Sequence, residues 1–198
     1  MRAGTPVVNQ PVADRLPCAV TLRDGTRAEV RAGGAPGDRA ALRAGFAAFS
    51  PESRYHRFLT SVSTLSEDMV SRLVDDVDGV DHVAVVLTPA GPSRSPVGVA
   101  RLIRYPDQPD AADIAVSVAD DWHGRGVATA LLPILLAHRP AGVTRLVTEV
   151  STDNAASLAM LRRLGPTSVE VTVPGIYHVL VELDSVPVPP DPAPLLAD

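Results

Sequence analysis

Lysine is missing from this chain of 198 residues: all 18 basic residues are arginine. That excludes a Walker-type phosphate loop, which requires a lysine. It also means that the protein offers no lysine side chain for its own modification. The abundance of Ala, Val, Gly and Pro points to genomic base composition as the cause. Cysteine occurs once, as Cys18 in Leu16-Pro17-Cys18-Ala19. One cysteine excludes an internal disulfide and a cysteine-rich metal site, so no metal is expected. Aromatic residues make up 4% of the chain, so Val, Leu, Ile and Ala must fill the core. No stretch reaches the ~18 apolar residues of a membrane span. Met1 to Asp14 holds no apolar run of the kind a signal peptide needs. A cytoplasmic protein without a membrane partner is expected.

What is present suffices for one domain: 45% of the residues are apolar. The formal net charge of −5 argues against a nucleic-acid partner and fits a basic or amine substrate. Pro187, Pro189, Pro190, Pro192 and Pro194 crowd the end of the chain. The division expected is a flexible segment over 1–18, a folded domain over 19–183 and a disordered Pro-rich tail over 184–198.

Strand and helix patterns alternate inside the domain. Ala19–Leu22 and Arg27–Val30 flank Asp24-Gly25, a hairpin signal. Asp38 can cap a helix that runs to about Phe49, and Ser50-Pro51-Glu52-Ser53 ends it and can cap a short second segment. Ser66 opens another helix, to Asp75. Strands are predicted at His82–Thr88, Pro96–Arg104, Asp113–Val118 and Thr144–Val150. A final pair is predicted at Ser168–Val173 and Tyr177–Leu183. Helices are predicted at about Gly124–His138, with Pro133 as a kink or a misplaced boundary, and at Asn154–Leu164. This order gives an α/β (α+β) fold with a mostly antiparallel start.

The segment with chemical content follows Val118: Asp120-Asp121-Trp122-His123-Gly124-Arg125-Gly126-Val127-Ala128-Thr129. It reads as a strand, a small-residue turn and a helix start. Glycines let a ligand approach the backbone. The first helix amides are unpaired and carry the positive end of the dipole, which suits phosphate. Arg125 can add a charge-assisted contact. Trp122 reads as a core or staple residue rather than a ligand-stacking one. A dinucleotide loop is also open: Glu149 lies at a suitable distance for a ribose, although Thr129 stands where a third Gly or Ala is required. So is an ordinary glycine-containing loop.

The same segment resembles the acetyl-CoA motif of the GNAT N-acetyltransferases, Gln/Arg-x-x-Gly-x-Gly/Ala. It matches at Gly126 and Ala128, with His123 in the Gln/Arg position. Asn154, Ser157, Leu161 and Leu164-Gly165 resemble the family's later helix. Ser50 to Leu59 resembles a segment of the bacterial protein-lysine acetyltransferase branch. The resemblance implies a twisted mixed sheet of six to seven strands with about four helices, split between the fourth and fifth strands at 113–118 and 144–150. It implies acetyl-CoA as co-substrate and no metal. The cofactor would bond the backbone of Val116, Ser117 and Val118, the loop His123, Gly124, Arg125, Gly126, Val127, Ala128 and Thr129, and Asn154.

Acetyl transfer to a primary amine, from a protein lysine or a small molecule, by direct attack in a ternary complex needs a proton acceptor. The family's glutamate position is occupied by Asp113, with Glu149, His123 and Asp120 in reserve. Asp120 and Asp121 read chiefly as solvated loop carboxylates. Tyr55, His56 and Arg57 could border the acceptor. The family's tyrosine acid is replaced by Leu161, and Pro166 stands where an aromatic is usual. The alternative function is a GNAT-like module that senses acyl-CoA without catalysis. A monomer or a homodimer, without a fused regulatory domain, is expected.

Overall fold

The computed structural model describes residues 16–91 and 95–183. The expected tail at 184–198 lies outside these residues, as do residues 1–15 of the expected flexible start. Cys18, inside that expected segment, already opens the first strand.

The sheet has eight strands: β1 (Cys18–Thr21), β2 (Arg27–Ala32), β3 (His82–Pro89), β4 (Gly98–Tyr105), β5 (Gln108–Val118), β6 (Arg145–Ser151), β7 (Thr167–Val173) and β8 (Ile176–Glu182). They lie in the order β1-β2-β3-β4-β5-β6-β8-β7. The count exceeds the expected six to seven because the short β1–β2 hairpin adds an edge. The hairpin turn is fastened by the Thr26 N–H, which donates to Asp24 Oδ1 at 2.9 Å. The helices are α1 (Asp38–Ala48), α2 (Pro51–Phe58), α3 (Glu67–Val70), α4 (Val127–Ala137) and α5 (Ala155–Leu161), and a π-helical turn Ser71–Asp75 prolongs α3.

Alternation on β3 sorts the two helix layers. Val83, Val85 and Leu87 join Val127, Leu131 and Leu135 of α4 in the main core. Ala84 and Val86 face the other layer, with Phe46 of α1. A strand covered on both faces reads as a continuous apolar run, as β3 does. Pro133 lies within α4, and the helix continues to Ala137. Its ring is exposed, and the hydrogen bond it forgoes is the one to the Thr129 carbonyl.

Two buried contacts make checkable demands. A Cβ on Gly165 would sit 1.9 Å from the Glu182 carbonyl oxygen of β8. No side-chain rotation relieves a clash with backbone. Gly165→Ala is expected to cost about 3 kcal/mol, read as a lower urea midpoint. His82 is buried, with Nε2 3.5 Å from Arg101 Nη1, which also donates to the Leu73 carbonyl at 2.7 Å. Burial first, and Arg101 second, push the His82 pKa down to about 4. A depressed folded value means that stability is complete above the ordinary pKa near 6.5 and drains as pH falls toward about 4. Between about pH 7.5 and 4 the wild type should lose ~3 kcal/mol more than His82→Gln, measured by urea unfolding at the two pH values.

Candidate active site

Strands β5 and β6 run parallel but pair only at Ala111↔Arg145 and Ala112↔Leu146. Beyond Ala112 they part. The Ile114 carbonyl still accepts from Thr148 Oγ1 of β6 at 3.3 Å. Backbone groups on a strand alternate sides, so Ile114, Val116 and Val118 turn toward the opening and Asp113, Ala115 and Ser117 toward β4. Ala119 continues the second series, donating to the Val97 carbonyl at 2.9 Å. Val116 therefore presents its main chain to the opening without a strand partner. The Val118 carbonyl lies 3.0 Å from His123 Nε2. Ser117 is turned away: its main chain faces Val99 of β4 and its side chain the α1 layer. Of the three backbone contacts expected of 116–118, the geometry leaves Val116 and the Val118 N–H. By this strand count the split falls between the fifth and sixth strands, at the residues expected.

The opening is a cleft of about 480 Å3 whose walls include Asp113, Val116, Glu149, Asn154, Leu161 and His178. Past Val116, which lines the cleft, β5 runs on to Val118 and into the glycine loop, whose own residues are not part of the cleft wall. A 3-10 turn Asp120–Trp122 leads into His123, then Gly124 at φ +74° and Gly126 at φ +93°. Gly126 is the residue before α4, so the helix begins at Val127 and not at Gly124 as predicted. Positive φ cannot continue a right-handed helix. The amides of Gly124, Gly126, Val127, Ala128 and Thr129 find no protein acceptor among the described residues. The last four are the unpaired donors that open an 11-residue helix. The buried Val127 side chain anchors that end to the core.

The loop is braced on two sides. The Arg23 N–H of the hairpin turn donates to the Arg125 carbonyl at 3.0 Å. The Arg125 guanidinium lies over the Trp122 ring at 4.6 Å, and its Nη1 is 3.8 Å from Asp24 Oδ2. Trp122 itself packs on the core, as a staple residue would. Asp120 is not a solvated carboxylate. It accepts from the Ser50 N–H at 2.8 Å and from Ser53 Oγ at 2.6 Å, tying the loop to the start of α2. Burial opposes its charge, yet the Ser53 and Ser50 bonds prevail and hold the carboxyl below its usual range.

Asp113 lines the cleft on the α2 side. Burial pushes its pKa up; the Thr148 hydroxyl, the Arg57 cation and the Ile114 amide pull it back, and Glu149 adds a smaller upward push. Tyr105 shares the cleft and donates from its hydroxyl to the Val147 carbonyl at 3.0 Å. Burial, Asp113 and Glu149 push its pKa up to about 12. No sequence motif marked Tyr105, which ends β4 at a turn. Leu161 is buried against the cleft and offers no proton. Asn154 Oδ1 accepts from the Ser157 N–H at 3.0 Å, so this residue caps α5 as well as lining the cleft. His56 Nε2 lies 3.1 Å from Asp153 Oδ1, joining α2 to the segment after β6. Of Tyr55, His56 and Arg57, the last two reach the cleft. Among the described residues no cluster of His, Cys, Asp and Glu could hold a metal ion, and no helix is long and apolar enough to cross a membrane.

The family model described as acetyltransferase (GNAT) domain matches residues 35–167, well over half of the chain. The chain belongs to the GNAT acetyltransferase family. It is 32% identical over 154 residues to the acetyltransferase Pat of Mycolicibacterium smegmatis, covering 77% of this chain and 44% of that protein. The GNAT domain of S. lividans PAT superposes with a TM-score of 0.74 at 28% identity, over 84% of this chain and 97% of that one. These likenesses agree with the GNAT branch that residues 50–59 suggested. An acetyltransferase structure from Salmonella typhimurium, determined with its cofactor acetyl-CoA, shares the fold at 17% identity with a TM-score of 0.61, over 82% of this chain and 97% of that one.

Proposed function

We propose that this domain transfers an acetyl group from acetyl-CoA to a primary amine held beside Asp113, by direct attack in a ternary complex. The observation that carries the reading is the continuity of the site. β5 carries the half-buried carboxylate of Asp113 where it parts from β6, and its C-terminal end leads into the loop whose unpaired amides start α4. The amides of Gly124 to Thr129 suit the pyrophosphate of coenzyme A. The free backbone of Val116 suits the amide-bearing arm that follows it. The side-chain amide nitrogen of Asn154 has no protein partner among the described residues and faces the same space.

Acetyl-CoA supplies the activated thioester. The chain's own residues handle the amine. An amine arrives mostly protonated near neutral pH, and Asp113 takes that proton, directly or through a water. The C–N bond then forms as the C–S bond breaks; coenzyme A leaves as the thiolate, and the nitrogen's second proton passes to solvent. No side chain at position 161 protonates the thiolate, and Asp113 is one methylene shorter than the family's glutamate; these two features favour a binder without catalysis. The reading is tested by titrating the protein with acetyl-CoA and then following acetyl transfer to an amine and peptide panel. Binding with turnover of at least one amine supports it. Binding without turnover leaves the sensor, and stabilisation by NAD instead of coenzyme A would point to a dinucleotide enzyme.

A further inference from the structure

Two cavities meet at the end of α2. Beside the cleft lies a smaller one of about 100 Å3, between α1, α2 and the sheet. Its walls are chiefly apolar and include Leu42, Phe46, Phe49, Val86 and Val99. The buried charges on its wall are already engaged. Arg101 Nη1 donates to the Leu73 carbonyl at 2.7 Å, and Asp38 is held by Arg31 and by the Ala35 N–H at 3.1 Å. What the cavity offers a guest is therefore mainly hydrocarbon. Protein interiors are close-packed, and an apolar space of this size forfeits contacts that an apolar guest would restore.

The cavity adjoins the reactive part of the cleft. On a strand, side chains two apart share a face. Asp113, Ala115 and Ser117 of β5 do so; the first two line the cleft and the third lines the cavity. One such step is about 6.6–6.8 Å. Arg57 and Phe58 stand in both walls, so they form the seam between the two spaces. The Phe58 ring meets Phe46 edge-on at 5.8 Å, and the Arg57 guanidinium lies over it at 5.0 Å. With the pyrophosphate at α4 and the amide-bearing arm along Val116, the thioester reaches the level of Ala115, beside this seam.

Gly45 keeps the space open from the helix side. It lies inside α1 and lines the cavity one turn after Ala41. Glycine in a helix interior is less stable than alanine. Crowding does not impose it, because a Cβ at Gly45 would meet nothing within 4 Å among the described residues. The effect of the missing side chain is room in the cavity.

We propose that this cavity receives the hydrocarbon chain of an acyl-CoA longer than acetyl, so that the domain prefers an unbranched donor in the range butyryl to octanoyl. This rests on the acyl-transfer reading above and changes the donor, not the chemistry. The same C–S bond breaks, the same C–N bond forms, the ammonium proton goes to Asp113, the second nitrogen proton to solvent, and coenzyme A leaves as the thiolate. The chain turns from Ala115 past Phe58 toward Ser117, and Gly45 and Ala41 set the length that fits.

The test titrates acetyl-, butyryl-, hexanoyl- and octanoyl-CoA into wild type, Gly45→Leu and Ala41→Leu, then follows transfer to one lysine peptide. Affinity in the wild type should rise by about fourfold for each methylene buried, until the cavity is full. At least one longer donor should exceed acetyl-CoA by tenfold or more in affinity and in kcat/KM. Each leucine variant places a side chain in the cavity and should abolish that advantage, while binding and transferring acetyl as the wild type does. Leucine favours a helix over glycine, so the melting temperature of Gly45→Leu should be equal or higher. Ala41→Leu fills the same space from one turn away, so the result does not hang on a single substitution. Acetyl-CoA bound as tightly as every longer donor by the wild type would overturn the proposal. So would a length preference that both leucine variants retain, or a loss of acetyl-CoA binding in step with the longer donors. If the peptide is not turned over, the affinity series decides in the same way. Failure to bind any of the four donors would instead defeat the proposed function.

Discussion

Asp113→Ala should lower kcat by about a hundred- to ten-thousandfold, the usual contribution of a positioned proton acceptor, with the Kd for acetyl-CoA unchanged. The expectation follows from where the residue sits. Asp113 belongs to the strand half that has lost its parallel neighbour, on the side facing α2, away from the loop amides. Its removal takes nothing from the cradle at Gly124 to Thr129. A fall in kcat with equal acetyl-CoA affinity therefore isolates the proton-transfer role, whereas an unaltered rate with any competent amine would remove Asp113 from the mechanism. The pH profile gives a second check. The base works only when ionised, so kcat/KM falls as pH drops through its pKa. Burial has moved that value above the ordinary 3.8, so the acid limb should lie above that of a solvated aspartate. Asp113→Asn keeps the shape but cannot take a proton, and should match the alanine variant in rate.

The parts of this site that sequence reveals are those encoded by neighbours along the chain. Asp24-Gly25 predicts a hairpin, Ser66 a helix cap, and Gly124 with Gly126 a turn before a helix. Each appears, because each depends on φ preferences or on bonds reaching three residues or fewer. What escapes is long-range. Asp120 looks like a solvated loop carboxylate until Ser50 and Ser53, about seventy positions earlier, are found bonded to it. Ser117 lies within a plausible cofactor segment, yet strand parity turns it toward β4, and only the observed register reveals which parity faces the split. Arg57 stands in the sequence only as one of three neighbours that could border the acceptor; its place in the cleft wall with Asp113, more than fifty positions later, is visible only in the fold. The π-helical turn after Val70 likewise has no local signature. It coincides with Leu73, whose carbonyl is committed to the buried Arg101.

Gly126→Glu should weaken acetyl-CoA binding by at least about a hundredfold, from two costs acting together. The backbone at Gly126 holds φ +93°, a conformation that an L side chain reaches only with strain, on the order of 1–3 kcal/mol. A Cβ there would also come within 3.1 Å of Arg23 Cβ and 3.2 Å of the Arg23 nitrogen, on the hairpin turn that braces the loop. The added carboxylate then brings negative charge to the end of α4 meant for an anion, and can satisfy the free amides from within the protein. Gly126→Ala separates the two costs, since it carries the strain and the contact without the charge. The ordering expected in acetyl-CoA titrations is wild type tightest, alanine intermediate and glutamate weakest, with the gap between the variants shrinking as salt is added. If glutamate bound acetyl-CoA as alanine does at low salt, the amides of this turn would not be facing a phosphate, and the acetyl-CoA assignment of the cleft would fall with them.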